Sequence, residues 1–195
     1  MATESFMLRF FWGPREEGPE SMAARLCRFL NRLGRLDPLF KSWQQYQKSS
    51  GEMKPVRRTK SDLSALCAKG IMRSNIPPYP PLPGGGHFTV NIETKATWVL
   101  PLTVFCGSFS ENLQNRVILT LPIADEEFRR ICNVSVLEEL VRAAVESWDP
   151  DVGQIWSPVL ADSLMVPMDA IEVGWLTYVS KRIMRVPELP ASIRV

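Results

Sequence analysis

Residues His87–Pro122 decide the fold and read HFTVNIETKATWVLPLTVFCGSFSENLQNRVILTLP. Apolar and polar residues alternate in three runs, which begin near Phe88, Trp98 and Val117. A period of two with β-branched and aromatic residues is typical of half-buried strands. Turn-forming residues separate the runs, and such short connections join antiparallel neighbours. The stretch therefore predicts a central meander over 87–122 in a mainly antiparallel sheet of an α+β fold.

Two longer amphipathic helices are predicted to pack on this sheet, at about residues 19–34 and 135–148. In both segments apolar residues recur at three- and four-residue steps, which gives each helix one apolar stripe. Pro19 fits the first helical position, where its missing N–H costs nothing. Gly34 is expected to end the first helix.

The sequence also marks shorter elements. A capping box at Ser135–Glu138 predicts the start of the second long helix, and Asp149-Pro150 predicts its end. Residues 39–47 are ambiguous between strand and helix, and the polar, basic residues 48–58 predict a loop. The remaining predicted elements are a strand at Phe6–Trp12, a short helix between Thr59 and Gly70, and late strands at Gly153–Trp156 and Val173–Val179. Asp125 is also expected to cap a short helix that runs through Phe128 and Ile131.

The chain is predicted to form one domain, 1–195, with a Pro/Gly-rich connecting loop at 74–86. Its 195 residues can bury a sizeable core, and 45% hydrophobic with 23% charged residues is ordinary for a globular protein. The loop holds five prolines and three glycines, which exclude a helix or a central strand. An alternative is that its prolines form a polyproline ligand for an aromatic groove.

The cysteine pattern favours a reducing compartment. No CxxC pair occurs, and each cysteine falls in or beside an apolar pattern, which favours reduced, buried thiols over a disulfide scaffold or a zinc site. The four are Cys27, Cys67, Cys106 and Cys132. No apolar run approaches the roughly 18 residues of a membrane span, and the N-terminal residues lack the pattern of a signal peptide. We therefore expect a cytoplasmic protein with no membrane partner.

No catalytic equipment is visible. The single histidine, His87, follows three glycines, and no nucleophile elbow, P-loop or dinucleotide fingerprint occurs. Metal-ligand spacing is missing as well. We therefore expect no cofactor and no metal, and the net charge of only +2 argues against direct nucleic-acid binding. An enzyme of unrecognised type that uses the carboxylates around Asp149 stays open as a less favoured alternative.

Charge is distributed unevenly along the chain. Residues 1–73 carry 14 Lys/Arg and 7 Asp/Glu, residues 74–173 carry 5 and 13, and residues 174–195 carry 4 and 1. An acidic middle could steer a charged partner, although solvated faces of separate elements would give the same counts. The candidates for partner contact are the carboxylates of Glu126, Glu127, Glu138, Glu139, Asp149 and Asp151, together with the tryptophan Trp156.

Three aromatic segments together resemble a known family. They are Arg9-Phe-Phe-Trp-Gly-Pro14, leading into the first long helix and Asp37-Pro38; Trp148-Asp-Pro-Asp-Val-Gly153; and Gly174-Trp-Leu-Thr-Tyr178. Their order and spacing resemble the immunity protein 52 family of bacterial polymorphic toxin systems, over nearly the full chain. Members of that family look like antitoxins encoded beside toxins with a restriction-endonuclease-like nuclease domain, often delivered by type VI secretion.

The resemblance implies a non-enzymatic protein that binds and neutralises a cognate nuclease toxin. It carries over no specific contact residues. A nuclease has a basic substrate cleft, which an acidic patch fits by charge complementarity. The pI of about 8.4 departs from a simple nucleic-acid mimic and leaves room for binding elsewhere on the toxin. An adaptor or regulatory subunit is the alternative function, and the sequence leaves the oligomeric state open.

Overall fold

Eight antiparallel strands form one sheet in the computed structural model, which describes residues 5–47, 50–78, 80–82, 87–96, 99–123, 125–164 and 174–184. The strands are β1 (Met7–Trp12), β2 (Trp43–Gln47), β3 (Glu52–Pro55), β4 (Phe88–Thr94), β5 (Pro101–Cys106), β6 (Asn115–Thr120), β7 (Val152–Trp156) and β8 (Leu176–Val179). Their order across the sheet is β3-β2-β4-β5-β6-β1-β7-β8.

Helices in the described residues complete an α+β fold, as predicted. The α-helices are α1 (Pro19–Leu36), α2 (Lys60–Lys69), α3 (Asp125–Ile131), α4 (Val134–Trp148) and α5 (Pro158–Leu164), and a single 3-10 turn covers Pro38–Phe40. Helix α1 packs against both α2 and α4, α2 also contacts β4, and α4 contacts β1, β7 and β8.

The predicted meander is confirmed as β4, β5 and β6. Val90, Val104 and Val117 form one cross-strand row, and all three are buried on the same face of the sheet. The alternate residues point the other way, where Thr103 donates a hydrogen bond to Asn91 at 3.0 Å. Only one face of these strands therefore belongs to the core, which is why the alternation is visible in the sequence. Trp98, at the predicted start of the second strand, lies outside the described residues.

The core is centred where β1, α1 and α4 meet. Trp148 of α4 is fully buried and stacks on Trp12 of β1, with ring centroids 5.9 Å apart. Phe29 of α1 meets the Trp148 ring edge-on at 6.1 Å. Full burial of each large apolar side chain contributes about 2–3 kcal/mol. The two long predicted helices therefore pack on the sheet as expected, joined by aromatic contacts.

Helix α1 is longer than predicted, because Gly34 does not end it. The helix continues to Leu36 and ends at Asp37, whose backbone is extended with φ −151° and ψ 144°. The residue before a proline is pushed out of the helical region, so Pro38 is the stronger stop signal. Asp37 then starts the 3-10 turn, since its Oδ1 accepts a hydrogen bond from Leu39 N at 2.8 Å.

A β-hairpin occupies the stretch that was ambiguous at 39–47 and predicted as a loop at 48–58. Residues 43–47 form β2, and the loop prediction is wrong because Glu52–Pro55 pair with it as β3. All four β3 residues are exposed, so no apolar alternation marks the strand. Charged residues and a proline are typical of a protected sheet edge. Because they leave no alternation of apolar and polar residues, periodicity does not predict this strand.

The start of α4 also differs from the prediction. Asn133, rather than Ser135, is the N-cap residue, and its Oδ1 accepts a hydrogen bond from Val136 N at 3.2 Å. The predicted end is confirmed, since α4 stops at Trp148 and Asp149 has a left-handed φ of 49°. The late strands are confirmed as β7 and β8, although Val173 lies outside the described residues.

Helix α2 joins the sheet by a close backbone approach. Gly70 follows α2, and a Cβ atom added there would lie 2.1 Å from the carbonyl oxygen of Thr89 in β4. Thr89 N in turn donates to Gly70 O at 2.9 Å. Beyond this point, the described residues of the 74–86 connection form no helix or extended strand, and Pro81 makes an isolated bridge with Arg73.

Candidate functional site

Four arginines surround the C-terminal end of α4. The last carbonyl groups of a helix lack intrahelical donors and carry the negative end of the helix dipole. Here guanidinium groups supply donors. The contacts are Arg28 Nη1 to Glu146 O (3.1 Å), Arg25 Nη1 to Ser147 O (3.2 Å), Arg15 Nη2 to Trp148 O (2.7 Å) and, at the C-cap, Arg182 Nη2 to Asp149 O (3.1 Å). We name Arg15, Arg25, Arg28 and Arg182 the arginine junction, because they tie three separate segments to α4.

Asp149 and Asp151, two of the predicted contact residues, lie in this junction. Arg182 donates to Asp149 Oδ2 at 2.7 Å and to Asp151 Oδ1 at 2.9 Å. Gly13 N donates to the other oxygen, Asp151 Oδ2, at 2.9 Å. The hydrogen bonds to Asp149 and then Asp151 raise the pKa of Arg182. The structure therefore brings these two carboxylates together as paired groups in a stabilising network.

Glu17 is a buried carboxylate beside the arginine junction. Its side chain is only 6% exposed, and its Oε1 accepts a hydrogen bond from Arg25 Nε at 2.6 Å. Its Oε2 lies 3.3 Å from Arg15 Nε, within ion-pair distance though poorly aligned for a hydrogen bond. Burial lowers the pKa of Arg15, and the charge of Glu17 counteracts this effect. A buried carboxylate needs such partners, so Glu17 has a structural role that sequence analysis missed.

The other four predicted carboxylates lie on α3 and α4, and we name them the acidic helical surface: Glu126, Glu127, Glu138 and Glu139. Glu126 and Glu138 are exposed, whereas Glu127 and Glu139 are half-buried. Glu139 pairs with Arg142, one turn further along α4. Within the described residues, the side chains of the other three make no ion pair or hydrogen bond. The hydrogen bond to Asp37 and, to a smaller extent, the charges of Glu127 and Glu126 raise the pKa of Arg130. Of the four carboxylates, Glu138 is therefore the one with no electrostatic contact among the described residues.

A bidentate ion pair holds α3 in place. Arg130 Nε lies 2.6 Å from Asp37 Oδ2, and Arg130 Nη2 donates to Asp37 Oδ1 at 3.1 Å. The Asp37 side chain is 5% exposed, and its hydrogen bond raises the pKa of Arg130. Because Asp37 directly follows α1, this pair fixes the position of Glu126 and Glu127 relative to the helical layer.

Trp156 is separated from Asp149 and Asp151. It lies at the far end of β7 from Asp151, about 16 Å away at the usual rise per residue. The ring is half-buried, and the guanidinium carbon of Arg9 lies 4.7 Å from its centroid, a cation–π distance. Arg9 also lies 5.4 Å from the ring centroid of Phe11. The structure therefore places the Trp156 ring against Arg9 of β1, at the end of β7 opposite to Asp151.

Sequence analysis missed a groove between the β2–β3 hairpin and α2. The groove has a volume of about 300 Å³, and its lining includes the cationic residues Lys54, Arg57 and Lys69. We name it the basic groove. None of the three makes an ion pair or side-chain hydrogen bond with a described residue. The run of basic residues over 54–60 is the available sequence signal. Because residues 48–58 were predicted as a loop, the strand β3 was not expected, and β3 supplies part of one wall of the groove.

The described residues offer little for nucleophilic or metal chemistry. They hold no group of three or more His, Cys, Asp or Glu placed to bind a metal ion. The four cysteines are free, and burial raises the pKa of both Cys67 and Cys132 to about 11. Such thiols stay protonated at neutral pH and are poor nucleophiles. Among the described helices, none has the length and apolar character that crossing a membrane requires.

Comparisons with known proteins point to one family. The family model described as Immunity protein 52 (Imm52) matches residues 4–195. Among solved structures, the chain is similar to a T6SS protein of Pseudomonas aeruginosa, with a TM-score of 0.43 and 9% sequence identity. That match covers 79% of this chain and 40% of the solved chain, so the similarity spans less than half of the latter. No curated protein matches significantly. Because the family model covers nearly its whole length, this chain belongs to the immunity protein 52 family.

Proposed function

We propose that this chain is an immunity protein that binds and neutralises a cognate secreted nuclease toxin, and so protects the producing cell and its kin. Membership of the immunity protein 52 family carries the proposal. Two parts of the proposal, the nuclease nature of the toxin and its delivery by type VI secretion, rest on the family resemblance that the three aromatic segments carry. Neutralisation by direct binding requires no catalytic group of the immunity protein.

The acidic helical surface is the proposed toxin-contact site. Glu126, Glu127 and Glu138, on two consecutive helices, make no side-chain hydrogen bond or close ion pair with the described residues. Glu126 and Glu127 act on Arg130 only through their charge. A nuclease must bind a polyanion, so its substrate cleft is expected to be basic. Opposite potentials accelerate encounter and favour the correct partner. These properties support binding of the acidic helical surface at or near the substrate cleft of the toxin.

Direct contact with the toxin is less favourable for three of the predicted residues, Asp149, Asp151 and Trp156. Arg182 already pairs with both aspartates, so a toxin would have to compete with an intramolecular arginine. Trp156 already contacts Arg9. We propose that the aspartates act mainly by fixing the end of α4, which presents the acidic helical surface.

A cytoplasmic site of action is part of the same proposal. All four cysteines are free, including the fully buried Cys67 and Cys106. Free thiols are typical of proteins in a reducing compartment. A cytoplasmic antitoxin would meet a nuclease in the compartment that holds the nucleic acid to be protected.

Co-expression with the nuclease-like product encoded beside this chain tests the proposal. We expect the host to survive, and the two proteins to elute together from a sizing column. The variant Glu138→Lys/Glu139→Lys should weaken the complex and reduce survival. The matched control Glu16→Lys/Glu111→Lys makes the same charge change at two exposed sites outside the acidic helical surface, and should protect like the wild type. Absence of both rescue and a complex, with both proteins soluble, would refute the immunity function.

A further inference from the structure

The β2–β3 hairpin and α2 form a surface that the proposed function does not yet use. The hairpin extends the sheet at the β3 edge, and its inner side faces α2 across the basic groove. Gln45 and Lys54 are cross-strand partners on one wall, and Leu66 and Lys69 lie on the helical wall. The 55–58 connection is anchored, since Val56 N donates to Trp43 O at 2.8 Å and Arg58 O accepts from Cys27 Sγ at 3.3 Å. The groove is therefore a built feature between two fixed elements.

The charge of this groove is unbalanced. Lys54, Arg57 and Lys69 have no anionic partner among the described residues, while the single carboxylate in the lining, Asp62, is already engaged. Thr59 Oγ1 donates to Asp62 Oδ2 at 2.6 Å and accepts from Asp62 N at 3.1 Å, which caps α2. Three unpaired cations around one concave space favour an anionic occupant.

The outer side of the same hairpin exposes apolar surface. Tyr46 and Met53 are cross-strand partners, with 57% and 37% of their surface exposed. Tyrosine, methionine and arginine are enriched in protein–protein interfaces. β3 is also an edge strand, so its outer backbone groups have no strand partner among the described residues. One hairpin therefore combines an exposed apolar pair with a cationic groove, which fits a polypeptide better than a small anion.

We propose that the basic groove and the Tyr46–Met53 pair bind a carboxylate-rich segment of the toxin, as a second contact separate from the acidic helical surface. This inference rests on the proposed function, because the toxin is the committed occupant. Nucleic acid fits less well, since proteins that hold duplexes electrostatically neutralise about six to ten phosphates. The groove offers three cations, and residues 125–162 elsewhere on the chain carry nine Asp/Glu against three Lys/Arg.

Binding of the inactivated toxin to immobilised immunity protein tests this inference. The variant Lys54→Glu/Lys69→Glu should lower affinity about tenfold or more, through slower association at low salt as well as faster dissociation. The matched control Arg35→Glu/Lys95→Glu makes the same charge change, and Arg35 occupies the last turn of α1 as Lys69 occupies that of α2. The control should bind within about twofold of the wild type, because both of its residues lie outside the lining of the groove.

The Tyr46→Ala variant provides a second readout that leaves all charges and the core unchanged. It should also accelerate dissociation, because it removes the exposed apolar contact. If the wild type binds the toxin and both hairpin variants bind it equally well, the inference is overturned while the proposed function stands. If the hairpin variants keep toxin affinity and lose binding of a single-stranded DNA oligonucleotide instead, the groove is a nucleic-acid site and the inference is likewise overturned. If the wild type does not bind the toxin, the proposed function itself fails.

Discussion

Replacement of Glu17 by glutamine tests the arginine junction most sharply. Glutamine keeps the shape of the side chain and one carbonyl acceptor, but removes the negative charge between Arg15 and Arg25. In the native protein these two arginines lie 3.3 Å and 2.6 Å from the Glu17 carboxylate. The substitution therefore leaves two neighbouring cations without their shared counter-charge. We expect a large loss of stability from a change of a few atoms.

The magnitude follows from burial. Removing one partner of a buried ion pair costs about 3–5 kcal/mol. Glu17 is 6% exposed, but each arginine is 24% exposed, so water screens part of the remaining charge. The glutamine oxygen can still accept a hydrogen bond from Arg25, which reduces the loss further. We therefore expect the free energy of unfolding to fall by about 2–3 kcal/mol, short of the full cost for a buried pair.

Urea denaturation, followed by tryptophan fluorescence and far-UV circular dichroism, measures this change. Trp12 is a suitable reporter because Arg15 lies 5.0 Å above its ring. With an m value of roughly 2–3 kcal/mol/M, the midpoint should fall by about 1 M. Glu139→Gln is the matched control, since its pair with Arg142 is exposed and should contribute only about 0.3–0.5 kcal/mol. Equal midpoints for the two variants would refute the assignment of Glu17 as the central counter-charge.

Three further predictions concern stability. Trp148→Ala should lower the free energy of unfolding by about 3–5 kcal/mol in urea, because it empties the site between Trp12 and Phe29; a loss below that of Glu139→Gln would contradict the packing. Asn133→Ala should lower the free energy of unfolding by about 1 kcal/mol because it removes the α4 cap, whereas Ser135→Ala should change it little. A larger loss for Ser135→Ala than for Asn133→Ala would support the predicted capping box instead. Stability should fall as pH rises from about 9 to about 11, because the raised pKa of Cys67 makes the native state hold a proton that the unfolded state releases. Cys67→Ala should make that pH dependence shallower without abolishing it, because burial also raises the pKa of Cys132 to about 11; urea midpoints across this range measure the slope, and an unchanged slope would contradict the contribution of Cys67.

The fold was largely predictable where burial is one-sided. The meander over 87–122 and the apolar stripe of α1 follow directly from periodicity, because one face of each element enters the core. The strand at Glu52–Pro55 could not be found this way, since none of its residues is buried. The end of α1 was misplaced because two stop signals competed and the proline prevailed over Gly34.

The candidate site was predictable in residue type but not in connectivity. Asp149 and Asp151 were identified from composition, yet their pairing with Arg182 joins residues 31 to 33 positions apart. Arg15 reaches the end of α4 across a separation of 133 residues. No local pattern encodes such contacts, because the fold creates them when β1, α4 and β8 assemble. Glu17 was missed for the same reason. Its role depends on burial, and the sequence of the loop between β1 and α1 does not predict that burial.

The arrangement of charge in space is compatible with both a basic pI and the proposed acidic toxin-contact surface. Residues 41–73 hold eight Lys/Arg and two Asp/Glu, whereas residues 125–162 hold three and nine, so the two segments carry net charges of +6 and −6. The first segment builds the β3 edge of the sheet, and α4 in the second contacts β7 and β8 at the opposite edge. The net charge of +2 therefore conceals two segments of opposite charge. Local fields steer association over roughly a Debye length of 8–10 Å, so each surface acts on the part of a partner that faces it. An immunity protein with this layout can match a basic cleft and a carboxylate-rich segment of one toxin at once, and reversal of charge at either edge should weaken the complex more than total charge predicts.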